Sequence, residues 1–177
     1  MLSQSDSTTT PTACEEQETT TTIRDSFNII PIGTVQSCFS RCVGTPRQGS
    51  LAPSSRGHIT FHKTISPYAL DGLEEFSHVW VFFIFHQNTN VKASEALRAT
   101  SRGIKNGFVF PSKVIPPMLA KKKGTFATRS PHRPNPVGVT LATITSIDVK
   151  SRTVYLSGID LVQGTPVIDI KPYVPGT

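Results

Sequence analysis

The feature that most constrains this fold is a run of seven apolar residues, Val79-Trp80-Val81-Phe82-Phe83-Ile84-Phe85, flanked by His78 and His86. It is rich in β-branched and aromatic side chains and has the length of one strand. A helix crossing a membrane needs roughly 18 apolar residues, so no span and no membrane partner is expected. Because the run does not alternate with polar residues, it is expected to be covered on both faces. The strand reading covers 78–86, and the same chemistry recurs at 28–36, 58–61, 139–147, 153–157 and 167–170. Only residues 67–70 and 94–102 look capable of helix, and both are short. Strands without alternating helices imply a mainly β protein, a small β-barrel with short helices and long loops, rather than βαβ units. No Gly-x-Gly-x-x-Gly follows a strand and opens a helix, so a Rossmann-type nucleotide site is not expected. A hydrolase finds no support either, for want of a Gly-x-Ser-x-Gly elbow or a Cys/His nucleophile arrangement.

A length of 177 residues with 37% hydrophobic content suits one domain with a modest core. Residues 1–26 are rich in Thr, Ser, Gln and Glu and cannot bury enough surface to offset ordering entropy. They are read as a disordered tail, with the barrel domain over 27–177. Charge divides at the same place. Asp6, Glu15, Glu16, Glu18 and Asp25 against Arg24 give the tail a net −4, which leaves 17 basic and 7 acidic residues, a net +10, in the body. A basic body suits a polyanionic partner, RNA first, although solubility alone also explains it. Cys14, Cys38 and Cys42 have no partner pair at zinc-like spacing, so free thiols in a reducing compartment are expected and no metal. The first residues lack a basic stretch followed by an apolar core, and their acidity disfavours a transit peptide, so the cytoplasm is the expected location.

The densest set of polar recognition groups is Thr128-Arg129-Ser130-Pro131-His132-Arg133-Pro134-Asn135-Pro136-Val137-Gly138. Three prolines stiffen this loop and remove backbone donors. Arginines and a histidine on a stiff loop lose little entropy on clamping an anion. The alternative is a proline-rich connector that leaves its arginines in water. Residues 88–123 are long, basic and loop-like, either with an extra strand near 107–110 or as a functional arm. Within them Lys121, Lys122 and Lys123 are suited to RNA phosphates, or are simply a solvated charge run.

Several segments in register carry a family resemblance: Ile32-Gly33-Thr34-Val35, Pro46-Arg47-Gln48, Ser55-Arg56-Gly57-His58-Ile59, the 72–87 stretch through His86-Gln87, the arginine loop, Gly158-Ile159-Asp160-Leu161, and Gly164-Thr165-Pro166 through Lys171-Pro172-Tyr173. In this order and spacing the chain resembles the TsaA-like family, whose characterised members are S-adenosylmethionine-dependent tRNA methyltransferases of the TrmO type. The resemblance covers about 27–173 and implies a small β-barrel that binds its methyl donor without a Rossmann fold. It implies methylation of N6 of threonylcarbamoyladenosine at position 37 of tRNA, and a homodimer with the Trp80 region as a candidate contact.

The resemblance places S-adenosylmethionine among Pro46, Arg47, Gln48, His86, Gln87, Arg129, Val139, Asp160, Leu161, Val162 and Gln163. Arg47 or Arg129 is suited to the donor carboxylate. Asp160 is suited to its ammonium or ribose hydroxyls, or else only shapes a turn. Gln48 and Gln87 offer amides to the adenine edge, and Val139 and Leu161 apolar walls. His132 or a water is the candidate proton acceptor, and Arg133 (or Lys171) the clamp for the threonyl carboxylate; Asn135 completes the candidate catalytic set. Arg133 is read as touching the nucleic acid alongside Lys121–Lys123. His78 is read as a satisfied core histidine. Two departures stand out. Family members often carry Asp before Gly-Thr-Pro, where this sequence has Gln163. Bacterial members also continue beyond Lys-Pro-Tyr with a region tied to substrate handling, without which tRNA engagement would rest on the basic arm or a partner. The competing reading is a non-catalytic module that binds the methyl donor or RNA.

Overall fold

The computed structural model describes residues 28–87, 111–116, 119–133 and 135–176. It contains eight strands: β1 (Gly33–Ser37), β2 (Arg56–Phe61), β3 (His78–Ile84), β4 (Lys113–Val114), β5 (Lys123–Gly124), β6 (Val137–Asp148), β7 (Thr153–Ser157) and β8 (Pro166–Pro172). Six of them close into an antiparallel barrel in the order β1-β2-β7-β6-β3-β8, while β4 and β5 pair with each other outside it. Closure leaves the barrel itself without an unpaired sheet edge, which removes a template for edge-to-edge association.

Alternation builds the core. Val35, Ile59, Val79, Val81, Val154 and Val167 are completely buried, and each contributes about 1.5–3 kcal/mol relative to exposure. Leu70 and Leu73, on the short 3-10 turns Pro67–Leu70 and Leu73–Glu75, join them, as do Ile159 and Leu161 from the β7–β8 connection. In β3 the expected two-sided coverage is corrected. Val79, Val81 and Phe83 point inward, whereas His78, Trp80, Phe82 and Ile84 form a half-buried outer row. That row is apolar because it is partly roofed: Tyr173 meets the His78 and Trp80 rings edge-on, each at 6.2 Å between centroids.

The long β6 serves two neighbours, β3 and β7, by bending at a bulge between Ile144 and Ser146. Opposite Phe83 it carries Gly138, where a methyl group would overlap the phenyl ring, so only glycine lets the ring lie across the strand. β1 begins later than the expected residue 28, since Pro31 has no amide to donate; pairing starts with the Ile32 amide on the Val167 carbonyl at 2.7 Å. β2, β6 and β8 are each slightly longer than expected, and β3 ends two residues early where the His86 amide turns back onto the Ile84 carbonyl at 2.8 Å. The expectations for the 1–26 tail, a helix over 94–102 and a strand near 107–110 lie outside the described residues. Among the described residues no helix is long and apolar enough to cross a membrane.

Candidate functional site

The outer face of the β3–β6 pair carries a groove of about 340 Å³. Strand register sets its floor: His78 faces Thr143 and Trp80 faces Leu141. These side chains point outward because their neighbours in β3 fill the core. One wall is the 48–53 segment, including the 3-10 turn Gly49–Leu51. A methyl group at Gly49 would overlap the Gly158 carbonyl, so the segment approaches the end of β7 as closely as it does only because residue 49 is glycine. Arg129 forms part of the lining. Its Nη2 donates to the Val139 carbonyl at 3.0 Å, which ties the arginine loop to β6 while the guanidinium keeps further donors.

Asp160 gives the site its electrostatic character. The carboxyl is largely buried, accepts from the Thr140 hydroxyl and feels the Arg129 charge. Burial is the dominant influence and pushes its pKa above the usual carboxylate value, against the hydrogen bonds and the arginine, which pull it down. Its Oδ1 is buried without a hydrogen-bond partner. An orphaned buried acceptor costs about 1–3 kcal/mol, so a donor arriving with a ligand would find a prepared position.

The structure separates the candidate site residues into groups. Gln48 and Arg129 line the groove, and Asp160 joins them through Arg129 and the lining residue Thr140. Val139 is 39% exposed and contributes its carbonyl. Leu161 is 3% exposed in the barrel core and does not line the groove; Trp80 and Leu141 supply the apolar wall instead. Pro46 and the exposed Arg47 precede the wall. The Cys42 thiol donates to Gln87 Oε1 at 3.0 Å, bringing that loop beside the end of β3, where His86 is half-buried. The Val162 carbonyl accepts from the Thr165 hydroxyl at 2.7 Å. Gln163 lies in a different groove, where its Oε1 accepts from the Ser37 amide at 2.7 Å and its amide nitrogen donates to Gln36.

In the arginine loop, Arg133 braces its own surroundings. Nη1 donates to the carbonyls of Thr128 at 2.8 Å and Thr125 at 3.3 Å, and the guanidinium lies 5.5 Å from the centre of the Phe126 ring. His132 and Asn135 are exposed, and none of these three lines the groove. Lys121, Lys122 and Lys123 are all exposed, the last paired with Val114 in the β4–β5 ribbon. Reading the sequence alone missed His78, Trp80, Thr140 and Ser157 as groove residues. An even–odd reading of the 78–85 run would have put His78 and Trp80 on one face, without telling which face is the outer one.

Residues 34–177 match the model of the tRNA-methyltransferase O N-terminal domain family, and the chain belongs to that family. It is 45% identical over 148 residues to the tRNA (adenine(37)-N6)-methyltransferase of Rattus norvegicus, covering 81% of this chain but 30% of the rat protein. A probable S-adenosyl-L-methionine-binding protein of Methanothermobacter thermautotrophicus is 34% identical, over 83% of this chain and 90% of its own length. The crystal structure of TrmO from Pseudomonas aeruginosa superposes with a TM-score of 0.62 at 36% identity, covering 85% of this chain and 57% of that one. The barrel is thus the family's fold, and the chain spans less than a third of the rat relative.

Proposed function

We propose that the protein transfers a methyl group from S-adenosylmethionine to N6 of adenine 37 of tRNA, with the threonylcarbamoylated adenosine as substrate. The observation that carries this reading is the orphaned Asp160 Oδ1 beside Arg129 and the Trp80–Leu141 floor. S-adenosylmethionine supplies an electrophilic methyl on a sulfonium, and it asks of the protein an anion, a cation and an apolar surface. Asp160 accepts from the ammonium or the ribose hydroxyls, Arg129 pairs with the carboxylate, and Trp80 with Leu141 covers the adenine face. Gln48 presents an amide to the adenine edge.

N6 of the substrate belongs to a urea-like group whose lone pair is delocalised, so it is a weak nucleophile. The protein's task is then mainly positioning at about 3–3.5 Å in line with the bond that breaks. The N6 proton leaves to His132 or to water. Because Arg133 holds loop carbonyls, its part in catalysis is to keep His132 and Arg129 on a rigid loop, and the threonyl carboxylate falls to donors that Arg129 retains or to Lys171. We further infer a cytoplasmic homodimer, which sedimentation at micromolar concentration checks.

A second reading, a donor-binding module without catalysis, draws on the archaeal relative of similar extent, whose name claims binding only. One experiment separates them. Purified protein is incubated with methyl donor and tRNA with or without the threonylcarbamoyl group, and the nucleosides are analysed by mass. Methylation of the modified tRNA supports the enzyme. Donor binding without methylation of either tRNA supports the module.

A further inference from the structure

We propose that a second groove, of about 420 Å³ on the outer face of β1, β2 and β7, holds an unpaired nucleotide of the RNA beside the one being methylated. This rests on the RNA-substrate reading above and assigns it a separate surface. Register places Gln36 opposite His58 and His58 opposite Tyr155, a row that crosses three strands on one outer face. The His58 and Tyr155 rings lie 5.3 Å apart at 44°, and Tyr155 is 40% exposed. Paired rings on a rigid sheet form a stacking surface for a splayed base at little entropic cost. Arg56 stands two residues from His58 on the same face of β2, its Nη1 held on the Ser55 carbonyl at 3.2 Å, so a cation is fixed at the edge of that surface where a phosphate would lie.

Charge selects the occupant. Among the described residues, none that lines the groove is acidic. Gln163, tied down by Ser37 and Gln36, gives the groove a neutral side chain at this position. An aspartate there would face the incoming phosphates. The two grooves also adjoin. Tyr155 lines one and Ser157 the other, two residues along β7, which the strand rise puts about 7 Å apart. A chain whose target base meets the methyl donor at the mouth of the first groove therefore reaches the second with its next nucleotide.

The test measures binding, so it does not depend on methylation. Affinity is measured for a single-stranded RNA oligonucleotide and for a duplex of the same sequence, with thermal unfolding as a control on folding. The wild type is expected to prefer the single strand. Tyr155→Ala should weaken single-strand binding about tenfold and Tyr155→Phe should restore it. Arg56→Gln should lower the salt slope by about one, with methyl-donor affinity unchanged in both the Tyr155 and Arg56 variants, and Gln163→Asp should weaken RNA binding. Full RNA affinity in Tyr155→Ala and Arg56→Gln overturns the proposal. So does a wild type that binds no RNA, or a Tyr155→Ala protein that loses only self-association, which would make this face a contact between copies. If RNA binds as described but is never methylated, the enzymatic reading fails and the nucleotide site stands.

Discussion

Replacing Asp160 by asparagine should raise stability and lower methyl-donor affinity at once. The carboxyl is buried, its Oδ1 has no partner, and burial holds its pKa above the usual value. A carboxyl with a raised folded-state pKa favours the folded protein at low pH. Below about pH 4 it is protonated in both states and carries no penalty. As pH rises through the raised folded value, that advantage is lost because the folded protein resists ionisation. An asparagine side chain cannot ionise, so Asp160→Asn and wild type should melt alike near pH 4 and diverge above it. At neutral pH the variant should be the more stable of the two, because it never bears the cost of ionising a largely buried carboxyl. For a domain of this size each ~1 kcal/mol of difference reads as roughly 2–4 °C in Tm. Calorimetric titration should show the donor binding more weakly by about 1.5–3 kcal/mol, since a charged hydrogen bond is lost. A variant that melts lower at neutral pH and binds the donor as tightly as wild type would refute the argument and leave Asp160 as a turn-shaping residue.

Other outcomes follow from the same geometry. Arg129→Ala should weaken donor binding by about 1.5–3 kcal/mol, measured by calorimetry, and unchanged affinity would remove the arginine from the site. Gly138→Ala should cost about 1–3 kcal/mol in denaturant unfolding, because the new methyl meets the Phe83 ring. Gly49→Ala should push the groove wall off Gly158 and lower both donor affinity and Tm, because the new methyl meets a backbone carbonyl that cannot turn aside. Alanine at Lys121, Lys122 and Lys123 together should cut tRNA affinity and reduce its salt slope by up to about three, with donor affinity intact.

The barrel was legible because its strands are short, β-branched and unaccompanied by helices, and because closure needs nothing beyond alternation. The inward and outward members of β3 were not, since Trp80, Phe82 and Ile84 are as apolar as Val79, Val81 and Phe83; the burial difference comes from what roofs the outer row. The arginine loop shows the same limit for polar groups. The carbonyls of Thr125 and Thr128 lie outside any strand ladder, and Arg133 serves both. Nothing in the loop's composition distinguishes an arginine turned inward from one offered to a ligand. Gln163 is three residues from Asp160 in sequence but reaches the opposite side of the turn to cap β1. Asp160 itself was legible as a polar residue at a strand connection, whereas its missing partner is a property of packing alone.

The most direct measurement is a crystal structure with S-adenosylmethionine or its demethylated product bound. The account predicts electron density between the 48–53 wall and the Trp80–Leu141 floor, with the amino-acid end within hydrogen-bonding distance of Asp160 Oδ1 and Arg129. Density elsewhere on the barrel, with Asp160 Oδ1 still unpartnered, would contradict it.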